Sequence, residues 1–347
     1  MLAKRSLGVG GRITLCLLGA GLAAVTPPVF AQERVNGAIQ QHGFFQQKIS
    51  PEEITVTHGS EFKGAHKVAI SVFNVAFPSE NHFTAISKGV SVAGMYGTSA
   101  EAHMDTAMSG LDHATQQRIT DAAYALFVEQ LTGAGYEVVD QHELTRLAPE
   151  FATWEALPNF TQGRYGSYVA PTGQKVHLLQ GDTAKRDTSG RFGSAATPFR
   201  ALDRPQAFKR SPYIAYEGKL GIIAVTLVVD YGTYTSSGFK NGLGKSAVIG
   251  FTPGVTIGAG SFLDSGTYLE YWGPSSGGFP AGAYLQQPVR SDRPIGIVNA
   301  PDGPQKGKGV LFVSYTINAD PAKFEAAATE VVGLAVPKLV SAMAAAR

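Results

Sequence analysis

The chain is nearly devoid of cysteine: Cys16 is the one thiol in 347 residues. No intrachain disulfide can form, and a metal site built from several thiolates is excluded. Net charge is also small, with 29 Lys and Arg against 27 Asp and Glu, a balance of +2. That balance gives no electrostatic case for nucleic acid or an anionic membrane as the main partner. The apolar run at 13–25 is too short for a stable transmembrane anchor, which needs roughly 20 residues.

What is present at the N-terminus is an ordered set of export features. Lys4, Arg5 and Arg12 form a cationic region, the apolar run follows, and Val29, Phe30 and Ala31 end in a small residue before Gln32. The pattern predicts a cleaved signal peptide over 1–31 and a periplasmic or secreted location. Cleavage after Ala31 removes Cys16 and three cations, leaving a formal charge of −1 (2 − 3). Thiolate catalysis then goes too. Cys16 is not placed as a lipidation site: Thr14 and Leu15 precede it, and the apolar run continues beyond it. A mature chain of 316 residues (347 − 31) is ample for a core of its own.

The expected organisation is a polar, loosely ordered lead-in at 32–66, followed by a single domain at 67–347 with an insert at 155–215. Residues 67–77 are dense in β-branched and aromatic side chains and end at Pro78, which predicts a buried strand. Shorter strands are expected at 89–96 and 102–108. Asp112 is placed to cap a helix over about 114–132, where Ile119, Ala123, Phe127 and Leu131 recur at helical spacing. A strand at 136–140 and a short helix around 142–147 follow. Residues 220–230 predict a central strand, 246–272 a hairpin with one polar face, and 309–318 another strand. The last helix, at about 321–345, starts with Asp320 as cap and Pro321 in its first turn, and Pro337 is expected to bend or break it. The fold class expected is α/β (α+β): a mixed sheet with packed helices and a long irregular basic insert. Within the insert, 165–170 and 174–179 are expected to pair as a hairpin.

Motifs for chemistry are weak. Gly242, Leu243, Gly244, Lys245 and Ser246 end like a phosphate-binding loop, but Phe239 stands where its first glycine belongs, so a turn between strands is expected. Glu101, His103 and Asp105 alternate along one face of a strand and are the weak candidates for a divalent cation, with a plain solvated face as the alternative. His142 and Glu143 lack the second histidine of a zinc protease, since position 146 is Arg. No nucleophile elbow is present, because Ala93 replaces the glycine needed after Ser91. The insert holds nine Lys and Arg against four acids. Its Arg164, Tyr165, Arg186, Arg191, Arg200 and Arg204 are the candidate binding residues, because guanidinium groups among aromatics bind anions, sugars or partner surfaces. A hydrated loop is the alternative.

The run from a strand at 68–77, through a helix at 118–131, to Gly135, Val138, Val139, Asp140 and Leu144 resembles the curli-assembly (CsgG-like) periplasmic α/β domain. It is also similar to the amino-terminal domain of the TolB type. The resemblance covers 67–147, and more loosely the strand at 220–230 and the last helix. It implies a domain without catalytic residues that self-assembles or binds envelope partners. Curli-type proteins also carry a lipid-modified cysteine, which is absent here, and membrane-spanning hairpins. A spanning strand needs roughly 9–11 alternating residues, and 246–257 is interrupted by Gly250, Pro253 and Gly254.

The expectation is therefore an exported, non-enzymatic envelope protein acting in partner binding or self-assembly, with no cofactor, no nucleic acid partner and no membrane anchor after cleavage. The alternatives are a periplasmic carrier of a small or lipidic ligand, with 251–279 as a pocket wall, and a hydrolase with a dispersed Ser–His–Asp set.

Overall fold

The computed structural model describes residues 53–87, 100–154, 156–163, 166–177, 206–241, 244–257, 267–274, 280–285, 287–300, 305–307 and 310–347. The expected strand at 89–96 lies outside them. The fold class is α/β, with two mixed sheets and packed helices.

Strand β2 (Lys67–Pro78) is buried along almost its whole length, as its near-continuous apolar sequence requires of a strand covered on both faces. It pairs in parallel with β8 (Gly221–Asn241). Around this pair a ten-stranded sheet is built. On one side of β8 stand β10 (Tyr268–Trp272), β11 (Ala281–Leu285) and β1 (Ile54–Thr57). On the far side of β2 stand β5 (Glu137–Val139), β7 (Gly166–Val169) and β6 (Phe160–Gln162). Strand β9 (Gly244–Ile257) continues along β8, and β12 (Val289–Arg290) adds to β9.

Alternation along these strands sorts the residues into two faces. Ile223, Val225, Leu227 and Leu269 join Val68, Ile70 and Phe73 under helices α1 (His113–Gly133) and α4 (Pro321–Ala345). Ile222, Ala224, Tyr268, Trp272 and Tyr284 point the other way. They meet α2 (Gln141–Leu147), a 3-10 turn at Pro149–Thr153 and α3 (Gln206–Gly218). The result is three layers, helices on either side of the sheet.

A second, five-stranded sheet has the order β13 (Gly296–Asn299), β15 (Val310–Ala319), β4 (Ala100–Ser109), β3 (Glu80–Ser87), with β14 (Gln305–Gly307) also on β15. Strands β4 and β15 run parallel, and each feeds a long helix: β4 leads into α1 and β15 into α4. Both helix starts are capped as their sequences demand. Asp112 accepts from the Thr115 amide at 2.7 Å, and Asp320 from the Ala322 and Lys323 amides at 3.1 Å. The outer half of the β8–β9 hairpin packs on this sheet, where Met104, Tyr234, Phe251, Val313 and Tyr315 form a small cluster.

Several expectations need correction. Residues 54–62 of the expected lead-in are not loosely ordered, because β1 pairs with β11 and Phe62 is fully buried against Tyr271. The hairpin expected within 246–272 is instead β8 with β9, in which Asn241 pairs with Gly244; of the glycine-rich run at 242–246, Gly244, Lys245 and Ser246 lie in β9, and Gly242 and Leu243 lie outside the described residues. Gly250, Pro253 and Gly254 do not interrupt β9; a bulge between Asp230 and Gly232 absorbs the irregularity opposite Pro253. The partner of β7 is β6 rather than 174–179, and Val176 makes a lone bridge to Leu157. The insert is not wholly irregular: it holds β6, β7 and the start of α3, which the basic composition and Pro212 had concealed. Pro337 does not break α4. The fourth residue before it, where its ring would crowd a carbonyl, is Gly333, and Leu339, Val340 and Met343 beyond it are buried in the core. By length and composition α4 could also cross a membrane, but half of its most apolar window is buried within this fold.

Candidate functional site

Two of the groups of buried polar side chains gather residues from several strands. The first joins the two sheets. Beyond Asp230 strand β8 pairs with β9, and at the bulge there Asp230, Tyr231 and Tyr234 meet β3 and β4. Asn81 Nδ2 donates to Asp230 Oδ1 at 3.2 Å and to the Tyr234 hydroxyl at 2.9 Å. The Tyr231 hydroxyl donates to the Thr106 carbonyl at 2.9 Å, and Thr106 Oγ1 lies 2.9 Å from that hydroxyl and 3.1 Å from the hydroxyl of Tyr234. The Tyr231 amide closes on Asp230 Oδ1 at 2.7 Å.

Asp230 keeps limited contact with solvent, yet protein surrounds it. Burial pushes its carboxyl up to about 7, against the hydrogen bonds from Tyr231, Asn81 and Tyr234 that favour the ionised form. Burial, with the Asp230 charge beside them, also raises Tyr231 and Tyr234 well beyond the ordinary phenol range. Neutral tyrosines of this kind are poor nucleophiles and poor bases. The network offers a single carboxylate, too few donors to hold a metal. Its chemistry is that of a titrating joint between two sheets.

The second group lies on the face of the ten-stranded sheet beneath α3. In cross-strand register stand Asn74 of β2, Thr226 of β8, Tyr268 of β10 and Tyr284 of β11. The adjacent row places Glu270 between Ala224 and Gly282, and Trp272 follows two residues beyond Glu270 on the same face. Glu270 is 1% exposed, and none of the others is more than 2% exposed. Burial and the nearby Glu270 charge both raise the Tyr284 hydroxyl. Over this face lie Phe151 and Trp154 from the 3-10 turn and its exit, with the buried His177 ring 5.2 Å from Phe151. From α3 come Ser211, Ile214 and Ala215, its buried side. Asn74 Nδ2 donates to the His177 carbonyl at 2.7 Å. Asn74 Oδ1, Ser211 Oγ, Trp154 Nε1 and Trp272 Nε1 have no hydrogen-bond partner. Ser211 and His177 share this face, but the serine hydroxyl bonds to nothing, so they are not a nucleophile and base in contact.

The residues singled out from sequence fare differently. Arg164, Tyr165, Arg186, Arg191, Arg200 and Arg204 all lie outside the described residues. His103 and Asp105 sit on the outer side of β4, opposite the side that carries Met104 and Thr106, and His103 stacks on Phe312 with ring centroids 5.0 Å apart. The side chain of Glu101 is outside the described set. Among the described residues no three His, Cys, Asp or Glu side chains gather to hold a metal. Of the proposed pocket wall at 251–279, β10 lines the polar face, whereas Phe251 packs between the two sheets. Neither polar group shows as a spacing in the sequence, because its members come from strands far apart along the chain. Comparison with family models, with curated proteins and with solved structures gave no match to this chain.

Proposed function

We propose that this is an exported, non-enzymatic envelope protein that acts by self-assembly, through strand addition to its five-stranded sheet. One observation carries the reading. The edge strand β13 reads Gly-Ile-Val-Asn, without a charge, and Ile297 is 65% exposed. No described strand pairs with its outer side. Proteins guard such edges with lysine, proline, bulges or covering segments, and a bare apolar edge recruits another strand. The occupant is a second copy because the same sheet ends on its opposite side in β3, also an edge among the described strands. Joining one edge to the other in successive copies gives a head-to-tail assembly that closes into a ring if the rotation permits. The resemblance to the curli-assembly family points the same way.

The test is light scattering on the mature protein across a concentration series, with Val298→Lys beside it. Val298 is 37% exposed on this edge, so the variant should fold normally. The expected result is a multimer for the parent and a monomer of unchanged melting temperature for the variant. A parent that stays monomeric at high concentration, or a variant that assembles equally well, would overturn the reading.

A second reading, a carrier of a small ligand, is favoured by the unsatisfied polar atoms beneath α3.

A further inference from the structure

We propose that the sheet face beneath α3 binds a small neutral polyhydroxylated molecule, a mono- or disaccharide in its chemistry; this rests on the carrier reading. The matching rows on the opposite face of the same sheet are apolar, Val68, Ile70, Phe73, Val225, Leu227 and Leu269, although the Tyr136 and Tyr271 hydroxyls in that cluster also lack partners. On the face under α3 the register instead aligns Asn74, Thr226, Tyr268 and Tyr284 across four strands, with Glu270 in the next row. A one-residue change in register would scatter this row over both faces, so the strand pairing itself collects it.

Four atoms around this face lack partners: Asn74 Oδ1, Ser211 Oγ, Trp154 Nε1 and Trp272 Nε1. Their residues are at least 96% buried. A buried polar group left without a partner costs about 1–3 kcal/mol. Four together approach the whole stability of an ordinary domain, ~5–15 kcal/mol. A bound molecule that supplies the missing hydrogen bonds removes that cost.

The chemistry of the four selects the class. An indole N–H only donates, and an amide carbonyl only accepts. The bound molecule must therefore both accept and donate, as hydroxyl groups do. An ammonium or quaternary ammonium group cannot accept from the indoles. A phosphate or carboxylate ligand finds no Lys or Arg among the described residues of this face. Trp154, Trp272, Tyr268, Tyr284 and Phe151 supply aromatic surface of the kind that packs on the C–H face of a sugar ring. Ala224 and Gly282 flank Glu270, and the Tyr284 ring lies across Gly282, where a Cβ would meet its hydroxyl. The element in the way of entry is α3. It ends just before Lys219, whose left-handed φ of 49°, with the Leu220 amide bond to the Ala215 carbonyl at 3.3 Å, makes a helix stop before β8.

The experiment is calorimetric titration of the full-length mature protein with D-glucose, maltose and N-acetylglucosamine, with tetramethylammonium chloride and sodium phosphate as controls. Native mass spectrometry of the purified protein runs in parallel. The expected result is saturable binding of at least one sugar and none of the two controls. Ser211→Ala should weaken that binding about tenfold, and Trp272→Phe likewise, while both variants melt cooperatively. Should Trp272→Phe fail to fold, Ser211→Ala, which removes one oxygen, carries the test alone. Sugar binding that neither folded variant alters would overturn the assignment, as would binding of tetramethylammonium or phosphate alone. If native mass spectrometry finds a retained ligand of another class that Ser211→Ala loses, the sugar falls but the carrier reading stands. If no ligand of any kind is retained or bound, both fall.

Discussion

Gly110 shows how much can rest on a single hydrogen atom. It links β4 to the capped start of α1 with a φ of +88°, and a Cβ there would meet the Ala319 carbonyl oxygen at 2.5 Å and Asn318 Oδ1 at 2.7 Å. The clash is with backbone of the neighbouring parallel strand, which cannot rotate away, and the conformation itself disfavours any L side chain. Gly110→Ala should therefore lower stability by roughly 2–4 kcal/mol. Chemical denaturation would read this as a lower midpoint with an unchanged slope. An alanine variant within 0.5 kcal/mol of the parent would show that β4 and β15 do not approach this closely. Asp112, two residues further on, is a gentler case: its carboxyl is held below the usual range by the amide and hydroxyl of Thr115, which identifies it as a working cap.

At the level of elements, the pairing of α1 with α4 is the largest helical contribution to the core. Phe127 is fully buried there, with its ring 5.5 Å from that of Phe73 on β2. Phe127→Ala should cost about 3–5 kcal/mol, measured by thermal or urea unfolding, because neighbours on a β-strand cannot collapse into the space. These were also the elements most legible in the sequence. A strand covered on both faces must be apolar throughout, and a helix with one buried side must repeat its apolar residues, so β2, α1 and α4 announce themselves. Strand β3, Glu-Asn-His-Phe-Thr-Ala-Ile-Ser, carries no such signal, since it follows Pro78 and Ser79 closely and mixes polar with apolar residues. Helix α3 was hidden by Pro212 and by its basic neighbours. The polar row beneath it was illegible for a stronger reason. Asn74, Thr226, Tyr268 and Tyr284 become neighbours only through strand order and register, which depend on the whole sheet. Asp230 looked like the polar end of a strand; the structure shows the strand continuing for eleven more residues, to Asn241, and makes Asp230 a joint.

That joint sets an expectation for the molecule as a whole. The two sheets share the network of Asn81, Thr106, Asp230, Tyr231 and Tyr234, and Asp230 is its one acid. From β4 the nearest acid, Asp105, points outward, and Asn81 and Thr106 contribute no charge. In the unfolded chain Asp230 loses its proton near its ordinary value of 3.8, whereas in the fold it keeps the proton to about 7. Between those values the unfolded chain binds fewer protons than the folded one, so this group makes stability fall as pH rises, with the loss complete above about 7. The size is of the order of 2–4 kcal/mol. Asp112, Glu143 and Glu330 act in the opposite sense, since hydrogen bonds to each lower their carboxyls and their contribution grows as pH rises through the acid range. The parent profile therefore mixes both trends, and the comparison that isolates the joint is with Asp230→Asn. The amide keeps an acceptor for the Tyr231 amide and for Asn81 but carries no charge. It should equal the parent near pH 4 and exceed it near pH 8, with the gap opening between pH 4 and 7. Hydrogen exchange should place the parent's loss at β3 and β4 first, because the five-stranded sheet is what an ionised Asp230 loosens. A gap that does not change with pH would mean that Asp230 is ionised in the fold across this range and that the joint does not titrate.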